Sequence, residues 1–138
     1  MNNTLRFLLV GAITLAATSA AFAQNRMAAN IGFPFKMQSA TMPAGNYELV
    51  PSTSSGSKYF TLRAANGHNT VIVSPRYVID DRSTKYANRL VFKCDSHMCA
   101  LAEIWTPGGA GYATPRPKLS PAEHERLAVV PLTVPKAD

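Results

Sequence analysis

The chain has 138 residues, a formal net charge of +6, ten prolines, eight glycines and two cysteines. This length fits a single domain with one modest core, which excludes a multidomain enzyme. Two cysteines are too few for a disulfide-dense scaffold, and the 46% share of hydrophobic residues excludes a long disordered polymer. The composition selects no activity by itself.

The first 23 residues are typical of a cleavable signal peptide. Arg6 gives a positively charged start, residues 7–17 are apolar or small, and Ala21 and Ala23 occupy the positions that signal peptidase reads. A membrane-spanning helix needs roughly 20 apolar residues, about twice as many as this stretch has. We therefore expect cleavage before Gln24 and export to the periplasm or the extracellular space. Removing 23 of 138 residues leaves a mature chain of 115, with no later transmembrane segment expected.

The region 24–113 is predicted to be a β domain of short strands and turns. Alternating apolar residues favour a strand over 29–35, with Pro34 marking an edge or a bulge. The Ser/Thr/Gly segment 52–57 predicts a loop, and Asn66-Gly67 is typical of a hairpin turn. We expect a mainly β fold, namely a single small antiparallel β-sandwich or a partly open barrel.

The clearest hairpin covers residues 89–105, with four residues between its two cysteines. The expected register pairs Cys94 with Cys99, Phe92 with Leu101, and Val91 with Ala102. Each apolar residue then faces an apolar neighbour across the hairpin, which makes the register self-consistent.

The segment 114–138 is predicted to be a proline-rich C-terminal extension with one short helix at about 121–128. Ser120 suits the N-cap, Pro121 the first turn, and Glu123 completes a capping box. A helix this short is marginal alone and has to dock on the sheet.

Several short motifs occur in a fixed order along the chain. They are Ile31-Gly32-Phe33-Pro34-Phe35, Met42-Pro43-Ala44-Gly45-Asn46-Tyr47, Leu90-Val91-Phe92 and Glu103-Ile104-Trp105-Thr106. With these motifs the chain resembles a family of small exported bacterial β-rich proteins of unknown function. It departs from that pattern at Gly32, where the family carries proline, and in its cysteine pair. The resemblance implies the fold and export, and no activity.

Cys94 and Cys99 are expected to form a structural disulfide, because exported proteins meet an oxidising environment. The alternatives are a redox dithiol or a metal site that adds His97. Redox pairs normally have two intervening residues rather than four, and a zinc site needs a third and usually a fourth ligand. We expect no metal and no cofactor.

The residues with the most functional interest are Glu103, Trp105, Tyr112 and His97, which form a candidate binding surface. A glycosidase pair drawn from Glu48, Glu103 and Asp80 has no supporting spacing, and no serine-hydrolase motif is present. We find no nucleic-acid-binding signature, and the dispersed positive charge would favour an anionic envelope polymer or a protein partner. The leading hypothesis is an exported non-enzymatic binding or structural module. The alternative is a small secreted or periplasmic hydrolase acting on envelope or polysaccharide substrates through Glu103 or His97.

Overall fold

The structure, a computed structural model, describes residues 26–79, 88–115 and 126–135, and these form two β-sheets. The first sheet has the order β1 (Met27–Ile31), β4 (Gly45–Ser54), β5 (Ser57–Ala64) and β6 (Thr70–Val73). The second sheet has the order β11 (Arg126–Pro131), β8 (Arg89–Cys94), β9 (Cys99–Trp105), β10 (Gly111–Ala113) and β7 (Tyr77–Ile79). Two short strands, β2 (Phe35–Met37) and β3 (Ala40–Met42), join the second sheet where β2 pairs with β9.

The core lies between the two sheets, which do not close into a barrel. Alternate residues of both sheets point into it, so the predicted mainly β fold is confirmed as two packed sheets. The largest side chains that are fully buried there are Phe35, Phe60, Phe92, Ile31, Met37, Met42, Leu49, Leu62, Leu90, Leu101, Ile104 and Val73. Three aromatic rings, those of Phe33, Phe35 and Phe92, meet edge to face at 5.1–5.2 Å near its centre.

The single strand expected over 29–35 is wrong, because the chain changes sheets at this point. Residues up to Ile31 pair with β4 in the first sheet, whereas Phe35 and Lys36 pair with β9 in the second. Ile31 and Phe35 are both fully buried, each facing the core from its own sheet. The β2–β9 pairing is parallel, so the second sheet is not purely antiparallel as expected.

The loop expected at 52–57 is also wrong. Strand β4 continues to Ser54, and a two-residue turn at Ser55-Gly56 leads directly into β5. Both turn residues have positive φ, of 50° and 78°, which matches the right-handed twist of the adjoining strands. The hairpin predicted around Asn66-Gly67 is confirmed, since it joins β5 to β6.

The β8–β9 hairpin has the predicted register only in its outer half. Cys94 lies opposite Cys99 and Phe92 opposite Leu101, but the next pair is Val91 with Glu103 rather than with Ala102. A β-bulge therefore places one extra residue on β9, and every later residue of that strand changes face relative to the expected register.

The predicted C-terminal helix is not supported. Residues 121–125 lie outside the described residues, whereas 126–128 form the start of β11, which pairs antiparallel with β8. The β-branched pair Val129-Val130 favours an extended backbone. Val130 and Leu132 are also buried in the core, and Val130 pairs with Leu90 of β8.

One side of the sandwich is connected through the backbone. Ala28 on β1 and Thr133, just after β11, exchange two N–H to carbonyl hydrogen bonds of 2.8 and 2.9 Å. The edge strands of the two sheets are thereby held together on this side. Within the described residues, no helix has the length and hydrophobicity needed to cross a membrane.

Candidate functional site

The bulge in β9 determines which face of the second sheet carries the candidate residues. Leu101 and Ile104 point into the core, whereas Glu103 and Trp105 point away from it. We call the face of the second sheet that is directed away from the core the outer face. Leu101 does not share a face with Glu103 and Trp105, because the extra residue separates it from them.

Trp105 lies almost completely buried on the outer face, at 2% exposure. Its Nε1–H donates a hydrogen bond of 2.8 Å to Oε2 of Glu103. The guanidinium of Arg89, directly opposite on β8, lies 4.7 Å from the centre of the ring. Gly111 lies opposite Trp105 on the other flank, and a Cβ atom there would be 2.8 Å from three carbons of the indole. Only glycine at this position leaves room for the ring.

A cleft of about 120 Å³ adjoins this cluster on the outer face. It is lined by Arg76, Tyr77, Lys93, Ala102, Glu103, Ala113 and Thr114. Thr114 is buried, and its hydroxyl donates a 2.7 Å hydrogen bond to the carbonyl of Leu101. The backbone N–H of Arg76 donates to the carbonyl of Ala113, which joins the start of β7 to β10. Hydrogen bonds to backbone carbonyls thus position both ends of the lining.

The cleft brings together a carboxylate, two cationic side chains and an aromatic ring. Arg76 is exposed and Tyr77 is 65% exposed, whereas Glu103 is half-buried and already accepts the indole N–H. An arginine can bind a carboxylate or phosphate with two parallel hydrogen bonds, and a tyrosine ring offers an apolar face with a polar tip. This combination can hold a polar, anionic ligand against a rigid sheet.

His97 does not belong to this site. It lies in the β8–β9 turn, where its backbone N–H and that of Met98 donate to Oδ1 of Asp95 at 2.8 and 2.7 Å. At about 3.3 Å per residue along β9, the turn is about 20 Å from Trp105. These two hydrogen bonds lower the pKa of the Asp95 carboxyl, and the bond from His97 has the larger effect.

Tyr112 does not belong to it either, because it projects from the opposite face of β10. Its ring packs against Phe60 at 5.1 Å in the core, and its hydroxyl accepts a 3.0 Å hydrogen bond from Nζ of Lys58. Of the four residues predicted as a binding surface, the structure therefore places Glu103 and Trp105 together, and His97 and Tyr112 apart from them.

The cysteines form the predicted disulfide, with 2.03 Å between their sulfur atoms. Both sulfurs are therefore bonded to each other and are not thiolate ligands. Among the described residues, no three His, Cys, Asp or Glu side chains are grouped so that they could hold a metal ion.

Of the carboxylates considered for glycoside hydrolysis, Glu48 and Glu103 do not form a pair. Glu48 lies on the outside of the first sheet, where it accepts hydrogen bonds from Arg26 at 3.1 Å and Arg63 at 2.6 Å. The hydrogen bond from Arg63 holds its pKa below the usual value. Glu103 lies on the outer face of the second sheet. Because packed sheets are about 10 Å apart, the sandwich separates the carboxylates of Glu48 and Glu103. Asp80 lies outside the described residues.

Sequence reasoning missed Arg76 and Arg89 as members of the site. Arg89 is opposite Trp105 only because of the bulge, which nothing in the local sequence marks. Arg76 and Tyr77 follow Pro75, a signal that the chain leaves one sheet, but their pairing with β10 is long-range.

Comparison of the chain with protein-family models, with curated proteins and with solved structures finds no match.

Proposed function

We propose that this protein is an exported, non-enzymatic binding module, and that its ligand is an anionic polymer of the cell envelope or extracellular space. The observation that carries the proposal is the cleft on the outer face, which is lined by the exposed residues Arg76 and Tyr77 next to the β7–β10 strand pair. Arginine supplies a charge-assisted hydrogen bond to a carboxylate or phosphate, and tyrosine supplies a flat apolar surface for a sugar ring.

The chemistry of Glu103 favours binding over catalysis. Its Oε2 accepts the indole N–H of Trp105, so this carboxylate helps to orient the ring. His97, the other side chain considered for hydrolysis, lies in the distant turn. The two residues therefore cannot act on the same bond as an acid and base pair.

Two further observations support an exported location and an anionic ligand. The Cys94–Cys99 disulfide is typical of proteins that fold in an oxidising compartment. Removal of the predicted signal peptide, which contains Arg6, lowers the net charge from +6 to +5; this charge attracts polyanions at long range, and the attraction weakens as salt is added.

The single tryptophan of the chain makes the cleft directly observable. Because Trp105 touches Glu103, a ligand in the cleft should change its fluorescence. We would titrate the protein with a polyuronate and, as a neutral control, with dextran of similar length. The proposal expects a saturable signal with the polyuronate that weakens with salt, and little change with dextran.

Two arginine variants test whether the cleft itself binds the polymer. Arg76→Gln should weaken binding about tenfold, because a hydrogen bond to a charged group contributes about 1.5–3 kcal/mol. Arg63→Gln removes the same charge from the outside of the first sheet and should change the affinity far less. Equal losses in both variants would show binding by net charge alone. Absence of any saturable signal would reject the anionic polymer as ligand.

A further inference from the structure

The two sheets end differently on the side of the sandwich formed by β6 and β7. Among the described residues, no strand pairs with the outer edge of β6, which is bonded only to β5. Its sequence, Thr70-Val71-Ile72-Val73, is β-branched throughout, without charge and without proline. Natural sheets usually protect an exposed edge with lysine, proline or a bulge, because unpaired backbone groups attract another strand.

The hydrogen bonds of β5 determine which groups of β6 face outward. The N–H of Ala64 donates to the carbonyl of Asn69 at 2.8 Å, and hydrogen-bonded pairs alternate along an antiparallel ladder. Val71 and Val73 therefore direct their backbone groups towards β5. Thr70 and Ile72 direct theirs towards the open edge, where an added strand would bond to them.

The side chains at this edge are apolar and exposed. Ile72 is 58% exposed on the outside of the first sheet, and Tyr77 and Val78 on the neighbouring β7 are 65% and 64% exposed. Ser74 to Arg76 form the short link from β6 to β7, but Ile72 and Tyr77 lie on the outsides of different sheets. An added strand at β6 would bury apolar surface as well as pair the backbone.

We propose that β6 is a self-association edge, on which a second copy of this chain adds its own β6 in antiparallel orientation. A twofold axis through Ile72 places the two Ile72 residues directly opposite each other on the same face. It also places Thr70 opposite Ser74 of the second copy. The outward N–H and C=O groups of Ile72 then pair with their own counterparts, and two exposed isoleucines cover each other.

A second copy suits this edge because β6 has no formal charge. Self-pairing therefore places no like charges opposite each other, although the whole chain is strongly positive. The seam is four residues long. Interfaces below about 1,200 Å² are usually weak and transient, so the dimer should form at high rather than low concentration.

Sedimentation equilibrium tests this assignment on protein purified from the compartment to which it is exported. Over a series from about 1 μM to about 1 mM, the average mass should rise from one chain to two. Ile72→Lys should keep the protein monomeric throughout, because two lysines would then lie opposite each other. Val129→Lys is the matched control, since Val129 is also 58% exposed but lies on β11, and this variant should still dimerise.

A cysteine variant tests the register. In a hydrogen-bonded antiparallel pair the two Cα atoms are about 5.5 Å apart, which lies within the range for a disulfide. Ile72→Cys should therefore oxidise to a covalent dimer in air, and Val129→Cys should do so far more slowly. A constant monomer mass for the unaltered protein would overturn the proposal. So would a dimer that Ile72→Lys leaves intact, or equal cross-linking of the two cysteine variants.

Discussion

The two sides of the sandwich close in different ways. On one side, Ala28 and Thr133 exchange two backbone hydrogen bonds, so the edges of the two sheets are held together. On the other side, no backbone hydrogen bond within the described residues joins β6 to β7, which are connected through Ser74, Pro75 and Arg76, and their apolar side chains stay exposed. The first side satisfies its edge groups internally, and the second leaves them available to another chain.

The difference depends on the C-terminal segment. Without β11 and the residues after it, β1 would be as open as β6, since Thr133 is its partner. This segment is also anchored through Leu132, which is buried in the core at 4% exposure and whose N–H donates to the carbonyl of Asn88 at 2.8 Å. The C-terminal segment is thus packed into the core as well as hydrogen-bonded to β1.

The largest expected effect comes from loosening the closed side. Leu132→Ala should lower the free energy of unfolding by about 2–5 kcal/mol, because it leaves a cavity in the core. Val134→Ala, two residues later and 42% exposed, should change it by less than about 0.5 kcal/mol. Urea unfolding followed by Trp105 fluorescence measures both. Similar values for the two variants would show that the C-terminal segment does not pack into the core.

The disulfide should stabilise the whole sandwich without favouring either side. Replacing both Cys94 and Cys99 by alanine should cost about 2 kcal/mol, the loop-entropy value for so short a closure. The melting temperature should fall, while the domain stays folded by circular dichroism and its tendency to dimerise is unchanged. A count of free thiols in denatured, unreduced protein should find none. Two thiols per chain would contradict the disulfide.

Proline at each edge compares the two sides directly. Ala28→Pro removes the N–H that donates to Thr133 and should cost about 1 kcal/mol. Ile72→Pro removes an N–H that faces the open edge, so the monomer should lose less stability than in Ala28→Pro. Only Ile72→Pro should abolish self-association. The comparison fails if Ile72→Pro destabilises the monomer as much as Ala28→Pro does.

The smallest effect is a pH dependence that belongs to neither side. Hydrogen bonds from the N–H groups of His97 and Met98 hold the pKa of Asp95 below the value of about 3.9 that it has in an unfolded chain. Folding therefore favours the ionised carboxylate. This stabilisation is fully present above pH of about 4 and is lost as the pH falls through the folded pKa.

Asp95→Asn tests this effect, because the amide does not titrate. Its melting temperature should be lower than that of the unaltered protein at neutral pH, and the gap should narrow as the solution is acidified from about pH 5 to about pH 2. A gap that stays constant across this range would show that the Asp95 carboxylate is not the source. Dimer formation, measured by sedimentation at neutral pH, should be the same in both proteins.

Local sequence patterns predicted those parts of the fold that neighbours in the chain decide. Asn66-Gly67 marked its hairpin, and Cys94 with Cys99 marked another. Each of these features is settled by a turn and by residues that lie close together in the chain. The predicted signal peptide lies outside the described residues and stays a prediction.

Errors arose where a distant partner decided the outcome. Residues 126–128 carry an acceptable helix pattern, but β8 offered an unpaired edge and the core accepted Val130 and Leu132. The bulge at Ala102 likewise depends on what β9 meets on both flanks. The position of Arg89 was missed for the same reason, because the bulge determines that Arg89 lies over Trp105.

The sequence by itself determined a β-rich chain, the hairpin turn at Asn66-Gly67 and the pairing of its cysteines, because these depend on local backbone preferences and on short loop closure. Only the tertiary structure decided which residues share a face and which edges stay open. A shift of one residue reverses every side chain along a strand, and an edge is closed only when a partner far along the chain reaches it. The cleft beside Glu103 and the open strand β6 both follow from that long-range pairing.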